Sequence, residues 1–354
     1  MLFILVIFTI LLGFISLSRH NSIINNNYFN NSLLTIMLLA SAVVVGMRDI
    51  PFGTDSFAYQ NTFLTFQSYS LKGAIKIGDQ EPLFVIWQWL VGRLFSSPQS
   101  FFIITYLLFS IILIFAFTKI VEKRFVVFLF FGYMSLSFYE NLITNIIRQG
   151  LAISLVILAV CLYLKTGKRT LSFFLILALA LLFHYSAAPI IILSLINVKK
   201  IKLRNLLIMW FIFLIPFLLK TKNLLIAPFA SSKVLSTYSS EYAVNLYGGG
   251  IYRTDFLLFS FFFILIGLYM RRLCSYNVKY ELLLKIYILF NLYFLTFGSL
   301  PFSERFALYS WILIPLLIWY PLSIIEKKKS FAVFGVYFLF LSIAIITGSF
   351  DYLI

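Results

Sequence analysis

The chain has little charge, and acidic charge is especially scarce. Only 12 of its 354 residues are Asp or Glu, and all charged residues together make up 11%, whereas a soluble domain is about a quarter charged. A soluble fold cannot bury a composition that is 62% hydrophobic, so much of the surface must face lipid. The composition therefore excludes an ordinary soluble domain.

Other absences narrow the class further. The two cysteines, Cys161 in an apolar run and Cys274 in a basic segment, form neither a disulfide framework nor a metal site. No phosphate-binding loop or dinucleotide fingerprint occurs. The sequence therefore predicts no metal, no cofactor and no nucleic-acid partner. The first 20 residues lack a basic start and a small-residue cleavage site, so they are predicted to be a span rather than a cleavable signal.

Long unbroken apolar runs, rather than short alternating strands, predict an all-α polytopic membrane protein. About twelve spans are expected in a single integral membrane domain, residues 1–354. The predicted spans are 1–18, 33–47, 101–118, 125–138, 144–164, 171–183, 185–197, 203–220, 255–270, 281–298, 305–325 and 331–348. Residues 82–95 are apolar but short, and we predict an interfacial or re-entrant helix there. If that segment crossed the membrane, everything upstream would be inverted.

Basic clusters set the expected orientation. They are residues 119–124, 165–169, 197–204, 271–279 and 326–329. The span scheme places all of them on one side, which the positive-inside rule makes cytoplasmic. Nine of the twelve acids then fall at or beyond the outer face, which indicates chemistry on that side. The net charge of +16 is thus interpreted as a topology signal and as contact with anionic lipids, not as a nucleic-acid surface.

Two predicted outer loops are long enough to shape a site. The first, 48–100, is expected to hold amphipathic or re-entrant helices. The second, 221–254, holds four tyrosines beside a triple glycine. Those tyrosines fit an interfacial aromatic belt, and they also fit a mobile lid that stacks on sugars.

The first loop carries a candidate catalytic carboxylate. Asp55 is expected in the first turn of a helix, where the helix dipole favours a negative charge. Tyr59 is four residues later and shares its helix face. Taken alone, Asp55 fits the start of a surface helix better than it fits a catalytic base.

Further polar residues occur in unexpected apolar surroundings. Glu81 precedes Pro82 at the start of a helix, where the dipole also favours a carboxylate. Arg148 lies inside an apolar span, which is costly unless it faces a charged partner, a polar cavity or the interface. His184 interrupts an apolar run near an expected outer turn, where a structural role and a functional one both fit. Arg305 is expected at the outer end of a span.

These residues are expected at one membrane face, on different elements. Arginine offers a planar, permanently charged fork that matches phosphate oxygens. A nearby carboxylate can remove a proton from a hydroxyl group. The combination points to transfer from a lipid-linked phosphate donor.

The same residues occur in an ordered set of motifs. They are R-D-x-x-x-G-T-D-S-x-x-Y (48–59), E-P-L-F (81–84), I-I-R-Q-G-L-A (146–152), L-F-H-Y-S-A (182–187) and E-R-F-A-L-Y (304–309). This set resembles the EpsG-like branch of the Wzy-type O-antigen and polysaccharide polymerases, over roughly residues 30–325. The resemblance implies a fold like that of the glycosyltransferase C superfamily.

The resemblance also implies an activity. Such enzymes move a growing glycan from undecaprenyl diphosphate onto a lipid-linked repeat unit, at the outer face of the bacterial inner membrane. Chain length in such systems depends on a separate regulator. Asp55 would be the base and Glu81 the alternative base. The substrate or diphosphate ligands would be Arg48, Tyr59, Arg148, His184, Arg305 and Tyr309.

Other functions stay open from sequence alone. A flippase or transporter would place charge along a central pathway and often shows internal repeats, which are not evident here. A ligase would use the same diphosphate donor. An acyltransferase needs a histidine with a partner carboxylate, and L-F-H-Y-S-A has no adjacent acid.

Overall fold

The structure is a computed structural model, and it describes residues 27–49, 54–136, 138–221, 251–325 and Val333. All regular elements in these residues are helices. The predicted first span, nearly all of the predicted last span and most of the 221–254 loop lie outside the described residues. The chain divides between Ala187 and Ala188 into two compact units, which are described in turn.

Unit 1 contains nine described helices. They are α1 (Asn27–Met47), α2 (Thr54–Phe66), α3 (Leu71–Ile77), α4 (Pro82–Leu94), α5 (Pro98–Phe117), α6 (Lys123–Met134), α7 (Tyr139–Thr144), α8 (Ile147–Thr166) and α9 (Leu171–Phe183). A 3₁₀ turn follows at Tyr185–Ala187.

Unit 2 contains six described helices. They are α10 (Ala188–Leu195), α11 (Leu203–Leu218), α12 (Thr254–Leu273), α13 (Val278–Phe297), α14 (Glu304–Trp311) and α15 (Ile314–Trp319). A 3₁₀ turn, Tyr320–Ser323, closes the described part of this unit.

Six stretches in the described residues are long and apolar enough to cross a membrane. They are Tyr28–Met47, Pro98–Phe117, Ile147–Thr166, Thr254–Leu273, Val278–Phe297 and Glu304–Ser323. A 20-residue helix is about 30 Å long, which matches the hydrocarbon thickness of a bilayer. The chain is therefore an all-helical membrane protein in its described part.

Several of the predicted spans are shorter in the structure. The prediction of 125–138 corresponds to α6, which has 12 residues. Predicted spans 185–197 and 203–220 end two residues earlier, as Tyr185–Leu195 and Leu203–Leu218, whereas the prediction of 171–183 has the same bounds as α9. The last described span is interrupted between α14 and α15, where Pro315 lies in the first turn of α15 and cannot donate a backbone hydrogen bond.

The loop helix α4 is too short to cross a bilayer alone. Its 13 residues make it about 20 Å long. The end of α1 lies beside the start of α5. This is shown by Arg48, which follows α1 and whose guanidinium lies 4.3 Å from the centroid of the Phe102 ring in α5. Between those points α4 packs on α2 and α3, with Val85 against Phe66 and Ala74.

Helix α8 is the most deeply buried of the described spans of unit 1, since 83% of its most apolar 18-residue stretch is buried. Gly150 allows α7 to approach it closely, because a Cβ at this position would lie 2.3 Å from the Leu142 carbonyl oxygen. At the other end of α8, Gly167 adopts φ 64°, a left-handed conformation that suits glycine and ends the helix. The chain then returns along α8 as α9, so the start of α8 and the end of α9 lie together.

Unit 2 is organised around α13. In this helix, 89% of the most apolar 18-residue stretch is buried. Asn291 in this helix accepts from the Trp210 indole at 2.8 Å and donates to the Ser310 hydroxyl at 3.0 Å. These bonds join α11, α13 and α14 through buried side chains. In an apolar interior each satisfied bond adds about 1 kcal/mol, whereas leaving the amide unpaired would cost more.

Candidate functional site

The candidate site in unit 1 is built around a buried carboxylate. Glu81 is only 4% exposed and caps the start of α4. One carboxylate oxygen accepts from Arg148 Nη1 at 2.7 Å. The other lies 2.5 Å from His184 Nδ1 and accepts from the Tyr185 backbone N–H at 3.2 Å. Three chain segments thus meet at one carboxylate.

The fold explains why these distant residues meet. Arg148 is the second residue of α8, and His184 directly follows α9. The turn at Gly167 brings those two positions to the same end of the helix pair. Glu81 reaches them because Pro82, with its fixed φ, starts α4 immediately after it. Helix α4 in turn packs against α9.

Tyr59 is the fourth member of this cluster. Its hydroxyl lies 3.2 Å from Arg148 Nε, and its ring centroid is 5.7 Å from the guanidinium carbon. The ring is buried against Phe84, 5.3 Å away between centroids. We refer to Tyr59, Glu81, Arg148 and His184 as the Glu81 cluster.

Tyr59 and Glu81 hold one side of the Arg148 guanidinium, and the N–H groups on its other side are still able to donate hydrogen bonds. A guanidinium has five N–H groups, and its bonds to Tyr59 and Glu81 use Nε and one N–H of Nη1. Among the described residues, no further acceptor lies within bonding distance. The side chain is 25% exposed, so an incoming anion can reach it.

The charges of the cluster fix the ionisation of Glu81. Burial alone would raise the pKa of its carboxyl. The hydrogen bond and charge of His184 and the charge of Arg148 outweigh burial and lower the pKa to about 2. Glu81 is therefore a carboxylate at neutral pH, with both oxygens occupied. Such a group orients its partners better than it accepts a proton from substrate.

A second set of contacts lies beside this cluster, at the end of α1. Arg48 donates from Nη2 to the Thr144 carbonyl at 2.9 Å and from Nη1 to the Val45 carbonyl at 2.6 Å. The Ser56 hydroxyl donates to the same Thr144 carbonyl at 2.6 Å. Burial lowers the pKa of Arg48 to about 10, against the opposing charge of Glu140. Arg48 thus ties α1 to the turn before α8.

Asp55 connects the two sets of contacts. Its backbone N–H donates to Asn145 Oδ1 at 2.9 Å, and its side chain is half-buried in the first turn of α2. Tyr59 is one helical turn further on. Helix α2 therefore places the Asp55 carboxylate on the same face as the phenol that contacts Arg148.

The remaining predicted residues belong to unit 2. Arg305 lies in the first turn of α14, with its guanidinium carbon 4.7 Å from the Phe302 ring centroid. Tyr309 is one turn further along α14 and is fully buried, with its ring 6.0 Å from that of Tyr293. The Tyr309 ring therefore supports the helix that carries Arg305.

Sequence reasoning named the charged members of the site and missed their uncharged neighbours. Asn145, Thr144 and Ser56 form the contacts that fix Asp55 and Arg48. The polar pair at 144–145 was a signal of a helix end, because Thr144 is the last residue of α7 and Asn145 is its C-cap.

His184 has a partner carboxylate that the sequence alone does not show. His184 has no acidic neighbour along the chain, but the fold supplies Glu81, which lies 103 positions away. Sequence adjacency could not show this contact, because it depends on how α4 packs against α9. In the described residues, no group of three or more His, Cys, Asp or Glu side chains is arranged to hold a metal ion.

The family model described as the EpsG family matches residues 31–353. No curated protein and no solved structure matches the chain.

Proposed function

Since the chain belongs to the EpsG family, we propose that it is a polysaccharide polymerase that uses lipid-linked substrates. It transfers the growing glycan from undecaprenyl diphosphate onto a lipid-linked repeat unit, as O-antigen polymerases of the Wzy type do. The Glu81 cluster is the observation that carries the proposal. It provides an arginine that is 25% exposed, fixed by a buried carboxylate, at the end of a membrane-spanning helix.

In the proposed reaction Asp55 is the base. Its carboxylate takes the proton of the acceptor hydroxyl, and the freed oxygen bonds to the anomeric carbon of the donor sugar. The bond from that carbon to the diphosphate oxygen breaks, and undecaprenyl diphosphate leaves with the electron pair. Arg148 and Arg305 stabilise the charge that develops on the leaving group.

The other residues hold the site in shape. Glu81 fixes Arg148 and His184, so we assign it a positioning role rather than the role of alternative base. His184 and Tyr59 contact a sugar or a phosphate oxygen, and Arg48 holds the turn that places Asp55. Tyr309 supports Arg305 from within α14.

The proposal includes the cellular setting. The chain lies in the bacterial inner membrane as a single integral domain of about twelve spans, with a glycosyltransferase C-like fold. Its site faces the periplasm or the exterior, where undecaprenyl diphosphate-linked repeat units arrive. A separate regulator of chain length is an expected partner. The span scheme predicted from the sequence, which places the basic clusters on one side, supports this orientation.

A second candidate function is acyl transfer to a lipid-linked glycan. The contact between His184 and Glu81, 2.5 Å long, has the geometry of a histidine oriented by a carboxylate. In that reaction His184 would be the base and Asp55 would not be needed. The two candidates therefore predict opposite sensitivities to substitution.

The test is chain extension by the purified protein with an undecaprenyl diphosphate-linked repeat unit, followed by mass spectrometry. Loss of a general base slows a reaction by roughly 100-fold or more, so Asp55→Asn is expected to abolish visible extension. Asp79→Asn is the matched control, because Asp79 is an exposed carboxylate of the same loop, and it is expected to extend normally.

Other outcomes would replace the proposal. Full extension by Asp55→Asn would remove Asp55 as the base. Acyl transfer that survives Asp55→Asn but not His184→Gln would support the second candidate. Movement of the intact lipid-linked unit across vesicles, without chain growth, would indicate a flippase.

A further inference from the structure

Unit 2 contains a pocket that is separate from the residues of the proposed reaction. Its volume is about 520 Å³, and it lies where α11 and α13 begin and α12 ends. It is lined by Lys199, Lys200, Ile201, Lys202, Leu203, Arg204, Leu207, Leu268, Arg271, Glu281 and Lys285. Arg305 follows the opposite end of α13, a helix of 20 residues and thus about 30 Å in length.

The charge of this pocket is strongly one-sided. Six of its lining residues are cationic and one, Glu281, is acidic. Arg271 donates to one oxygen of Glu281 at 2.8 and 2.6 Å, and Lys285 lies 2.9 Å from the other. The single carboxylate is therefore satisfied within the pocket. The cations in excess repel one another, and a bound anion would relieve that repulsion.

A helix terminus adds backbone donors to these side chains. Lys202 is the N-cap of α11, and no side chain of the described residues caps that helix. By contrast, Asn277 caps the neighbouring α13 by accepting from the N–H groups of Lys279 and Tyr280. The first N–H groups of α11 belong to residues that line the pocket and lack the side-chain acceptor that α13 has, and the helix dipole favours an anion there.

The depth of the pocket indicates an anion carried by a lipid. Lys285 is the eighth residue of α13, about 10 Å along it, and its side chain is only 10% exposed. Leu207 and Leu268, from two apolar helices, line the same space. Further along α11 the exposed side chains are apolar, including Ile208, Phe211 and Ile212. A phosphate in the pocket would therefore have acyl chains beside it that lie along apolar helix surfaces.

We propose that this pocket binds the phosphate headgroup of an anionic phospholipid. Arginine and lysine side chains and the start of α11 hold the phosphate oxygens, and the leucines contact the first part of the acyl chains. Basic pockets between membrane helices are a recognised form of lipid headgroup site. The site is on the side that carries the basic clusters, so the lipid belongs to the cytoplasmic leaflet.

The experiment is native mass spectrometry of the full chain released from nanodiscs that contain phosphatidylcholine and phosphatidylglycerol. The protein is expected to retain phosphatidylglycerol selectively. A near-surface cation adds about fivefold to the affinity for anionic lipid, so the double variant Lys202→Gln with Arg204→Gln is expected to weaken retention by roughly 30-fold. Both side chains are exposed, so the variant is expected to fold.

The matched control is Lys165→Gln with Lys168→Gln. Both residues belong to another basic cluster and lie outside the pocket, and retention is expected to be unchanged. Equal losses in the two double variants would show diffuse attraction and overturn the proposal. Displacement of the lipid by inorganic phosphate at equal concentration would also overturn it, because the site would then take free phosphate.

Discussion

The two units each contain a carboxylate between two cations, and the two arrangements are built differently. In unit 1, Glu81 lies between Arg148 and His184, which are 67 and 103 positions away. In unit 2, Glu281 lies between Arg271 and Lys285, only 10 and 4 positions away. The Glu81 side chain is 5% exposed and that of Glu281 is 24% exposed. A carboxylate with two basic partners thus joins distant parts of the chain in unit 1, whereas in unit 2 it stabilises the turn between two consecutive helices.

The differences in sequence separation and in exposure indicate which of the two arrangements the fold depends on. The buried carboxylate of Glu81 joins elements that are distant along the chain, namely the start of α4, the start of α8 and the segment after α9. The Glu281 set joins residues that the chain already holds close together, and its carboxylate is 24% exposed, so solvent screens it more than it screens Glu81. The Glu81 cluster therefore carries both structure and the proposed chemistry, while the Glu281 set mainly arranges cations around a pocket.

Substitution of the two carboxylates is expected to give the largest contrast in stability. Glu81→Gln leaves Arg148 without its buried counter-charge, which costs roughly 3 kcal/mol. Glu281→Gln removes a carboxylate that is 24% exposed and is expected to cost less, roughly 1 kcal/mol. Thermal unfolding of the purified protein in one detergent measures both. Equal losses would show that the two arrangements do not differ as described.

The dependence of stability on pH in the acidic range is expected to show the next largest effect. The folded-state pKa of Glu81, about 2, lies below its ordinary value of 4.5. Its contribution is therefore complete above pH 4.5 and is lost as the pH falls from 4.5 toward 2. Melting temperatures of the wild-type protein and Glu81→Gln should converge across that window. A constant difference between the two curves would contradict the assignment of the low pKa.

The fold could be predicted from the sequence where the signal is local. Apolar runs gave α1, α5, α8, α12 and α13 to within a few residues at most ends, because long stretches without charge have few alternatives to a membrane helix. The interruption at Pro315 was missed, since the surrounding residues are uniformly apolar. Where α6 and α11 are shorter than predicted, hydropathy gave the existence of each helix but not its length.

For the candidate site, the sequence identified residues but not their pairings. Glu81, Arg148 and His184 stood out because each is polar in an apolar setting, which is costly without a partner. Their partnership depends on α4 packing against α9 and on the return turn at Gly167, which no local pattern encodes. Asn145 was missed because an amide before a helix is common and carries no charge.

The central claim is that Arg148, held by Glu81, acts on the diphosphate of a lipid-linked donor. The direct measurement is the initial rate of chain extension by Arg148→Lys, with Arg271→Lys as the matched control from the other carboxylate arrangement. Lysine keeps the charge but loses the planar fork, so Arg148→Lys is expected to slow extension by roughly 10- to 100-fold, while Arg271→Lys extends at the wild-type rate. Wild-type rates for both folded variants would contradict the claim.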